Sequence, residues 1–392
     1  MEEKKRIKEL LNEGVKVYDW ARWISMGIGV WPLAPNNYIF NITFLYSTIF
    51  MIFEYIDIFF HIHDIAAIMD NLSENVPFTV AYAYTLFLRV ERKKLSLIFN
   101  EFLSDYTRDD AFKNLNEVET FKIYSDNANF FVKNIIGSAF SSGIIWLFYP
   151  MTKFNNLDFE NKTSIILPYR AYIFHEINDL RIYALTYACE SPFAALVCFG
   201  MISFNIFLII FVFHLSGRLA ILAMRIDKFQ IEEMEYRDKL NVIVENIKLI
   251  KLGHQIADIF STPLLVFFVL INFSLCVLGY QILVILITGL NAEIMQYIIL
   301  LCTAYVLLFV ICFNSELLSD EKNKVYQAFC NCSWYNMPPS YIKDITFCLA
   351  HLQNPLVLKA GKFSTFSYVT MTSITKTAFG YFSVLKNFLV RN

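Results

Sequence analysis

Long apolar runs alternate with charged segments along this chain. Seven of the runs reach the length of about 20 residues that a helix needs to cross a bilayer. They lie at 37–62, 65–88, 128–150, 183–214, 259–287, 293–315 and 364–388. The charged segments 89–127 and 215–258 keep a helical period, so we expect helices to continue through them beyond the membrane. The pattern predicts an all-α membrane protein with seven transmembrane helices.

The composition agrees with a chain that resides in a lipid bilayer. Hydrophobic residues make up 56% of the sequence and charged residues 17%, with 39 phenylalanines and a mean hydropathy of +0.46. Soluble domains carry about 25% charged residues. The net charge of −2 gives no basic field for nucleic acid. The eight cysteines lack zinc or disulfide spacing, so we expect free thiols and no metal or cofactor.

The distribution of lysine and arginine predicts how the helices are oriented. Loops on the cytoplasmic side of a membrane carry an excess of these residues. With the N-terminus inside, 26 of the 33 lysines and arginines fall in the cytoplasmic segments 1–36, 89–133, 215–258 and 315–362. The sequence therefore predicts a cytoplasmic N-terminus and an extracellular C-terminus. The sequon at Asn161 then falls in the large outer loop, where a glycan can be attached.

The last apolar run has one face that differs from the rest of the helix. At 100° per residue, Phe366, Thr370, Ser373, Thr377, Gly380, Val384 and Phe388 fall along one line. Its middle is hydroxylic or small, which suits either a water-filled pore or close packing between helices. Lys376 lies beside this line, where it either sets the potential near a pore or snorkels toward the interface.

The C-terminal residues resemble those of a known receptor superfamily. Residues 380–388 read GYFSVLKNF, similar to the insect chemoreceptor motif of Thr-Tyr, five mostly hydrophobic residues and Gln-Phe. Tyr381 and Phe388 match it, whereas Gly380, Lys386 and Asn387 depart from it in a way common among odorant receptors. The upstream segments 360–363 and 372–377 also resemble the odorant-receptor version, and segments 54–57, 71–74 and 214–219 do so more loosely.

The resemblance implies a subunit of a tetrameric, non-selective cation channel in the plasma membrane of a sensory neuron dendrite. Such a subunit assembles with a shared co-receptor, and segment 215–258 is too short for the long loop of the co-receptor itself. The implied parts are a cytoplasmic segment 1–36, transmembrane helices 1–6 within 37–318, a cytoplasmic anchor 319–362 and the pore helix with the C-terminus in 363–392. The implied pore and gate residues are Thr377, Gly380, Tyr381, Val384, Asn387 and Phe388.

The ligand expected from this resemblance is a small volatile organic molecule. Its pocket should be apolar and aromatic, within the outer halves of the second, third, fourth and sixth spans, with help from the fifth. Each candidate has the alternative of serving only helix packing. The candidates are Met69, Leu72, Val76, Phe140, Gly143, Trp146, Leu147, Tyr187, Phe193, Val197, Tyr280, Met295 and Tyr305.

Ionisable residues near the spans give two further expectations. Glu54, Asp57, His61, His63 and Asp64 predict a hydrated outer turn rather than a metal site. Glu190 precedes Ser191-Pro192, where it either bonds a ligand or satisfies backbone groups freed by the proline.

Four other classes of protein compete with this interpretation. A gustatory-type chemoreceptor channel shares the architecture. A seven-helix G-protein-coupled receptor would keep its C-terminus inside, and its usual Asp-Arg-Tyr and Asn-Pro-x-x-Tyr motifs are absent. A secondary transporter would have internal repeats, and no repeat is visible. An enzyme would need a catalytic motif, and the sequence contains no serine elbow, metal-ligand set or phosphate loop.

Overall fold

The computed structural model describes residues 2–108, 111–152, 167–228, 236–288, 291–332, 334–336 and 338–391, with the side chains of 2, 236–239, 288, 291–293, 336 and 384–391 left outside the description. These residues form helices and one short antiparallel hairpin, in which Lys359 pairs with Thr365. The helices are α1 (Glu2–Gly27), α2 (Asn37–Phe60), α3 (Ile65–Val90), α4 (Arg92–Thr107), α5 (Leu115–Thr152), α6 (Leu180–Asp227), α7 (Tyr236–Thr288), α8 (Asn291–Asn331), α9 (Pro339–Leu352) and α10 (Tyr368–Arg391), with a 3-10 turn at Trp334–Asn336 and strands β1 (Lys359–Ala360) and β2 (Ser364–Thr365).

Each of the seven predicted spans coincides with a helix, and the all-α prediction is confirmed. Within the described ranges, five helical segments are long and apolar enough to cross a membrane: Asn37–Phe60, Leu115–Thr152, Leu180–Asp227, Leu240–Ile287 and Ile294–Asn331. The α3 helix is less apolar because it carries Asp70, Asn71, Glu74 and Asn75. Asn71 and Asn75 are buried against the other helices, so the polar face of α3 is turned away from lipid.

Helices α5, α6 and α7 continue beyond their apolar runs, as predicted. They contain 38, 48 and 53 residues. At 1.5 Å per residue, α6 is about 70 Å long, whereas the hydrocarbon core of a bilayer is about 30 Å thick. Their extensions pack with α1, α4 and α9 at one end of the molecule, which we call the anchor end. The opposite end, which carries the loop 167–179, is called the strap end, and this loop is called the strap.

Helix α6 is the central element of the bundle. Residues 202–213 are buried on every side of the helix, and α6 contacts α5, α8, α3, α7 and α1. A helix that is hydrophobic all round belongs in a core, and the sequence of this stretch, ISFNIFLIIFVF, has that character.

The N-terminal segment contains a packed helix that the apolar pattern did not predict. Tyr18 and Ile24 of α1 are buried against the core of the bundle. The Tyr18 hydroxyl and His214 Nδ1 are 3.1 Å apart, and His214 Nε2 lies 3.1 Å from Asp105 Oδ2. These bonds join α1 to α6 and α4, so the segment 1–36 is part of the bundle.

The hairpin between α9 and α10 fixes where the last helix begins. Gly361 has a φ of +59°, a conformation that favours glycine, and its N–H donates to Ser261 O at 3.1 Å. Phe366 is buried against Phe267 and Phe268, with ring centroids 6.4 and 6.2 Å away. The helix starts after it, at Tyr368. The expectation that Phe366 belongs to the exposed line of the last helix is therefore wrong, because this ring anchors the helix to α7.

Candidate ligand-binding site

A cavity of about 120 Å³ lies inside the bundle toward the strap end. Helices α3, α5, α6, α7 and α8 supply its walls, and Tyr169 of the strap also lines it. The principal apolar lining residues are Val76, Phe78, Val80, Ile135, Ala139, Gly143, Trp146, Ala194, Val197, Met201, Phe267, Leu270, Ile271, Leu300, Ala304 and Leu307.

The chemistry of the lining suits a small apolar ligand. Polar lining side chains are few, among them Ser73, Glu74, Ser142, Ser274 and Thr303. An apolar protein cavity of about 150 Å³ stays dry and accepts benzene. A cavity of this size and character therefore accommodates a molecule of about one aromatic ring or a short chain.

Four of the candidate ligand residues lie in the wall of this cavity. They are Val76 on α3, Gly143 and Trp146 on α5, and Val197 on α6. Glycine at position 143 avoids a steric clash between α5 and α6, since a Cβ at this position would stand 2.8 Å from Cys198 Sγ. Phe193 lies directly behind the wall, because its ring packs on Phe78 and Tyr169 at 5.0 and 5.7 Å.

The other candidate ligand residues lie outside the lining of the cavity. Leu147 and Tyr187 border an open groove between α5 and α6, where the Tyr187 hydroxyl donates to Leu147 O. Phe140 packs on Phe199. Met295 is exposed on α8. Those that remain are half-buried at other positions: Met69, Leu72, Tyr280 and Tyr305.

The strap closes this end of the bundle through backbone hydrogen bonds. Asn71 Nδ2 donates to Arg170 O at 3.0 Å, and the Arg170 N–H donates to Glu74 Oε2 at 2.9 Å. The Tyr172 N–H donates to Phe53 O at 3.1 Å. The strap is thereby tied to α2 and α3, which places the Tyr169 ring in the cavity wall. No sequence pattern pointed to Tyr169, because a loop residue has no helical period.

The expected hydrated turn is correct for His61, His63 and Asp64, which are exposed, but wrong for Glu54 and Asp57, which are buried. Asp57 Oδ2 accepts from Arg170 Nε and from Asn71 Nδ2, each at 3.1 Å. Arg170 Nη1 lies 3.5 Å from Asp70 Oδ2, and Gln281 Nε2 donates to Asp70 Oδ1 at 2.7 Å. The network forms because Arg170 reaches the helices from the strap, which spacing along α2 could not indicate.

Glu190 has a structural partner in the strap. The backbone N–H of Tyr169 donates to its carboxylate, and the side chain is only 4% exposed. This residue also borders a second recess of about 450 Å³, formed by the strap together with α2 and α6. Glu190 therefore stands between the recess and the cavity.

The described pore candidates lie on an open face of α10. Ser373, Thr377, Gly380 and Tyr381 are exposed, and a Cβ at Gly380 would meet nothing within 4 Å. Lys376 is exposed as well. The side chains of Val384, Asn387 and Phe388 lie outside the described part of the chain, as does Asn161.

A helical membrane bundle with an apolar cavity inside it defines a multi-pass receptor for small molecules. The sequence profile of the 7tm Odorant receptor family matches residues 64–379, and the chain belongs to this family of receptors. It is thus an insect odorant receptor, rather than a gustatory-type receptor or a G-protein-coupled receptor.

Individual receptors resemble the chain at low identity. Odorant receptor 85b of Drosophila melanogaster is 22% identical over 397 residues, which cover 95% of this chain and 98% of that receptor. Odorant receptor 85c of the same species is 22% identical over 64% of this chain, and the chain spans 66% of it. The odorant receptor coreceptor of Anopheles gambiae is 26% identical over 155 residues, or 39% of this chain and 32% of the coreceptor.

Solved structures share the fold. The insect olfactory receptor OR5 from Machilis hrabei superposes with a TM-score of 0.81 at 14% identity, covering 95% of this chain and 99% of that one. The complex of OR5 with eugenol gives a TM-score of 0.82 at 13% identity, covering 97% and 100%.

Proposed function

We propose that this chain is the ligand-tuning subunit of an odorant-gated, non-selective cation channel. A small volatile molecule binds in the apolar cavity among α3, α5, α6, α7 and α8. The presence of this cavity is the main support for the proposed function. The strap end faces the outside of a sensory neuron dendrite, and the anchor end, with segments 1–36 and 319–362, faces the cytoplasm. The eugenol complex of OR5 supports a small organic ligand.

The proposed assembly is a hetero-tetramer with a co-receptor subunit, in which the α10 helices surround the path of the cations. One helix cannot line a conduit alone, and the exposed small and hydroxylic face of α10 suits a shared aqueous axis. The similarity to the Anopheles gambiae coreceptor supports a common subunit architecture, which is what a mixed ring requires.

A contact through α7 links the cavity to the last helix. Phe267 lines the cavity, and its ring packs on Phe366 immediately before α10. A ligand opens the channel only if it binds the open state more tightly than the closed state. In the proposed mechanism, an occupied cavity shifts α7 and, through this contact, the start of α10.

Co-expression of the chain with a co-receptor tests this function directly. A chemically broad panel of volatile compounds should include members that evoke a cation current, whereas cells with the co-receptor alone should not respond to them. A co-receptor agonist serves as the positive control. If that agonist opens the channel and no panel compound does, the proposed function is wrong.

Accessibility of α10 to water distinguishes a pore from a packing face. Thr377 is exposed, whereas its neighbour Ala378 packs against the core. An extracellular methanethiosulfonate reagent should block most of the current of Thr377→Cys channels, because the reagent reaches a thiol in the pore. Ala378→Cys and the native chain, with its eight cysteines, are the controls. Equal effects of the reagent on all three would indicate that Thr377 does not face the pore.

The residues implied as the gate give a second electrical test. Phe388→Ser should raise the current in the absence of ligand, since a hydroxyl weakens a barrier that depends on excluding water. Phe379, on the opposite face of α10 and exposed, provides the matched Phe379→Ser control. An unchanged basal current in Phe388→Ser, at equal surface expression, would contradict a gate at this position.

A further inference from the structure

Three glutamates from three different helices converge beneath the strap. Glu54 of α2 is 1% exposed and Glu190 of α6 is 4% exposed. The Glu54 carboxylate is close enough to those of Glu74 and Glu190 for their charges to repel one another. Bringing three carboxyl groups together in a buried region is costly unless something compensates their charge.

Hydrogen bonding within the described residues leaves much of this cluster unsatisfied. Both carboxylate oxygens of Glu54 and Oε2 of Glu190 are buried without a partner. The Tyr169 hydroxyl is also buried without a hydrogen-bond partner. It lies within electrostatic range of all three glutamates. Unpartnered buried polar groups are rare in native proteins and call for an explanation.

The guanidinium of Arg170 attracts Glu74 electrostatically but makes its ion pairs outside the cluster. The Arg170 guanidinium makes its ion pairs with Asp57, at 3.1 Å, and Asp70, at 3.5 Å. Glu74 bonds the backbone N–H of Arg170 rather than its guanidinium. Among the residues that the structure describes, no ion pair is formed by Glu54, Glu74 or Glu190, so the region retains an excess of acidic groups.

The cluster borders the cavity as well as the recess under the strap. Glu74 and Tyr169 line the cavity, and Glu190 lines the recess. A molecule with its apolar body in the cavity can thus place a polar end at Glu74, whereas Glu54 lines neither space and acts on that end through its charge. The recess gives a route to the same point from the strap end.

We propose that this cluster recognises the ammonium group of a small primary amine. This inference rests on the proposed function, since it names the chemical class of the ligand for the same cavity. An ammonium carries three N–H donors and no acceptor, so it can donate to Glu190 Oε2, which is buried without a partner beside the recess, while its positive charge offsets the charges of Glu54 and Glu74. A ketone or an ester brings no donor, and an alcohol brings one. Only the amine both donates to this oxygen and compensates the charge of the cluster.

Three compounds of nearly equal shape test the ligand class: benzylamine, benzyl alcohol and toluene. In cells that express the chain with a co-receptor, benzylamine should open the channel at a concentration at least about tenfold lower than benzyl alcohol does, with toluene the weakest, because hydrogen bonds to charged groups are the stronger ones. If benzyl alcohol or toluene is as potent as benzylamine, the inference is overturned.

Substitutions that remove a charge without changing the size of the side chain then identify which glutamates recognise the ammonium group. Glu54→Gln and Glu190→Gln should each raise the half-maximal concentration of benzylamine by about tenfold or more and leave that of benzyl alcohol unchanged. Glu119→Gln, in an exposed pair with Arg6, is the control. Equal shifts for both compounds would refute charge recognition at these residues.

The two proposals fail in different ways. If neutral volatiles open the channel and benzylamine does not, the ligand class is wrong and the proposed function stands. If a co-receptor agonist opens the channel but neither these compounds nor the broad panel does, both are wrong. The comparison of the three compounds on the native chain remains decisive even where a variant does not reach the surface.

Discussion

Replacing Ala194 with phenylalanine is expected to reduce the sensitivity of the channel to its ligand strongly. Ala194 lines the cavity, whose volume is only about 120 Å³, so an aromatic ring at this position occupies the space that the ligand needs. The half-maximal concentration of any agonist that binds in the cavity should rise by more than about tenfold, since even partial loss of apolar contact costs 1.4 kcal/mol or more. The measurement is a concentration–response curve with the co-receptor present.

The adjacent residue supplies the matched control for this substitution. Ala195 is exposed on the same helix, so Ala195→Phe adds the same ring outside the cavity. It should leave the response to the ligand unchanged. A co-receptor agonist should still open channels that contain either variant, which separates loss of binding from loss of assembly. A normal ligand response in Ala194→Phe would place the binding site elsewhere.

Removal of the Arg225 side chain charge is expected to destabilise the anchor end severely. Arg225 is 7% exposed and donates to both oxygens of Glu117, at 3.0 and 2.7 Å, and to Glu245 Oε2 at 2.6 Å. It also donates to Ala111 O at 3.1 Å. Arg225→Met leaves Glu117, itself 2% exposed, as an uncompensated buried charge. Breaking such a pair costs about 3–5 kcal/mol.

The expected observable is a melting temperature in detergent that falls by on the order of 5–10 °C. Arg6 provides the contrast, because its pair with Glu119 at 2.9 Å is exposed and exposed pairs contribute about 0–1 kcal/mol. Arg6→Met should therefore melt close to the native chain. If both variants melt at the same temperature, the buried pair does not hold the anchor end together.

The pKa of Glu117 indicates how the stability lost in Arg225→Met can be partly restored. Burial by itself raises the pKa, but the hydrogen bonds and charge of Arg225, with the N–H of Lys113, lower it below its ordinary value. The stabilisation is therefore present above the pKa of the unfolded chain and is lost as the pH falls through the lower pKa of the folded chain. Without Arg225 the effect of burial is opposed only by the N–H of Lys113 and the charge of Lys228, so Arg225→Met combined with Glu117→Gln should recover part of the lost stability.

The apolar pattern was sufficient to predict the membrane helices, because a helix in lipid must satisfy its own backbone and carry an apolar surface about 20 residues long. It did not predict α1 or α9. The α1 helix is mostly polar and α9, with 14 residues, is shorter than a span. Both are stabilised by packing at the anchor end, as the buried Tyr18 and Ile345 illustrate. The α3 helix crosses the bundle although it is less apolar than the other spans, since its buried polar residues Asn71 and Asn75 face other helices.

The sequence predicted the apolar character of the cavity but only some of the residues that line it. Helical spacing places Phe140, Gly143 and Leu147 on one face of α5, yet of these three only Gly143 lines the cavity, because spacing does not reveal which neighbour packs against a face. Met295 and Tyr187 carry the expected chemistry on faces that point elsewhere. Tyr169 and Arg170 come from a loop, and Arg170 lies about 100 residues along the chain from its partners Asn71 and Glu74. No local pattern encodes such a contact.

The burial of α6 also bears on how receptors of this shape diversify. Residues 202–213 are enclosed on all sides, so nearly every substitution there disturbs close packing and costs stability. Nearer the strap end the same helix has exposed positions, including Leu185 and Ala195. Related receptors can thus acquire new ligand preferences through substitutions in the half of α6 near the strap end, while the enclosed half keeps its packing unchanged.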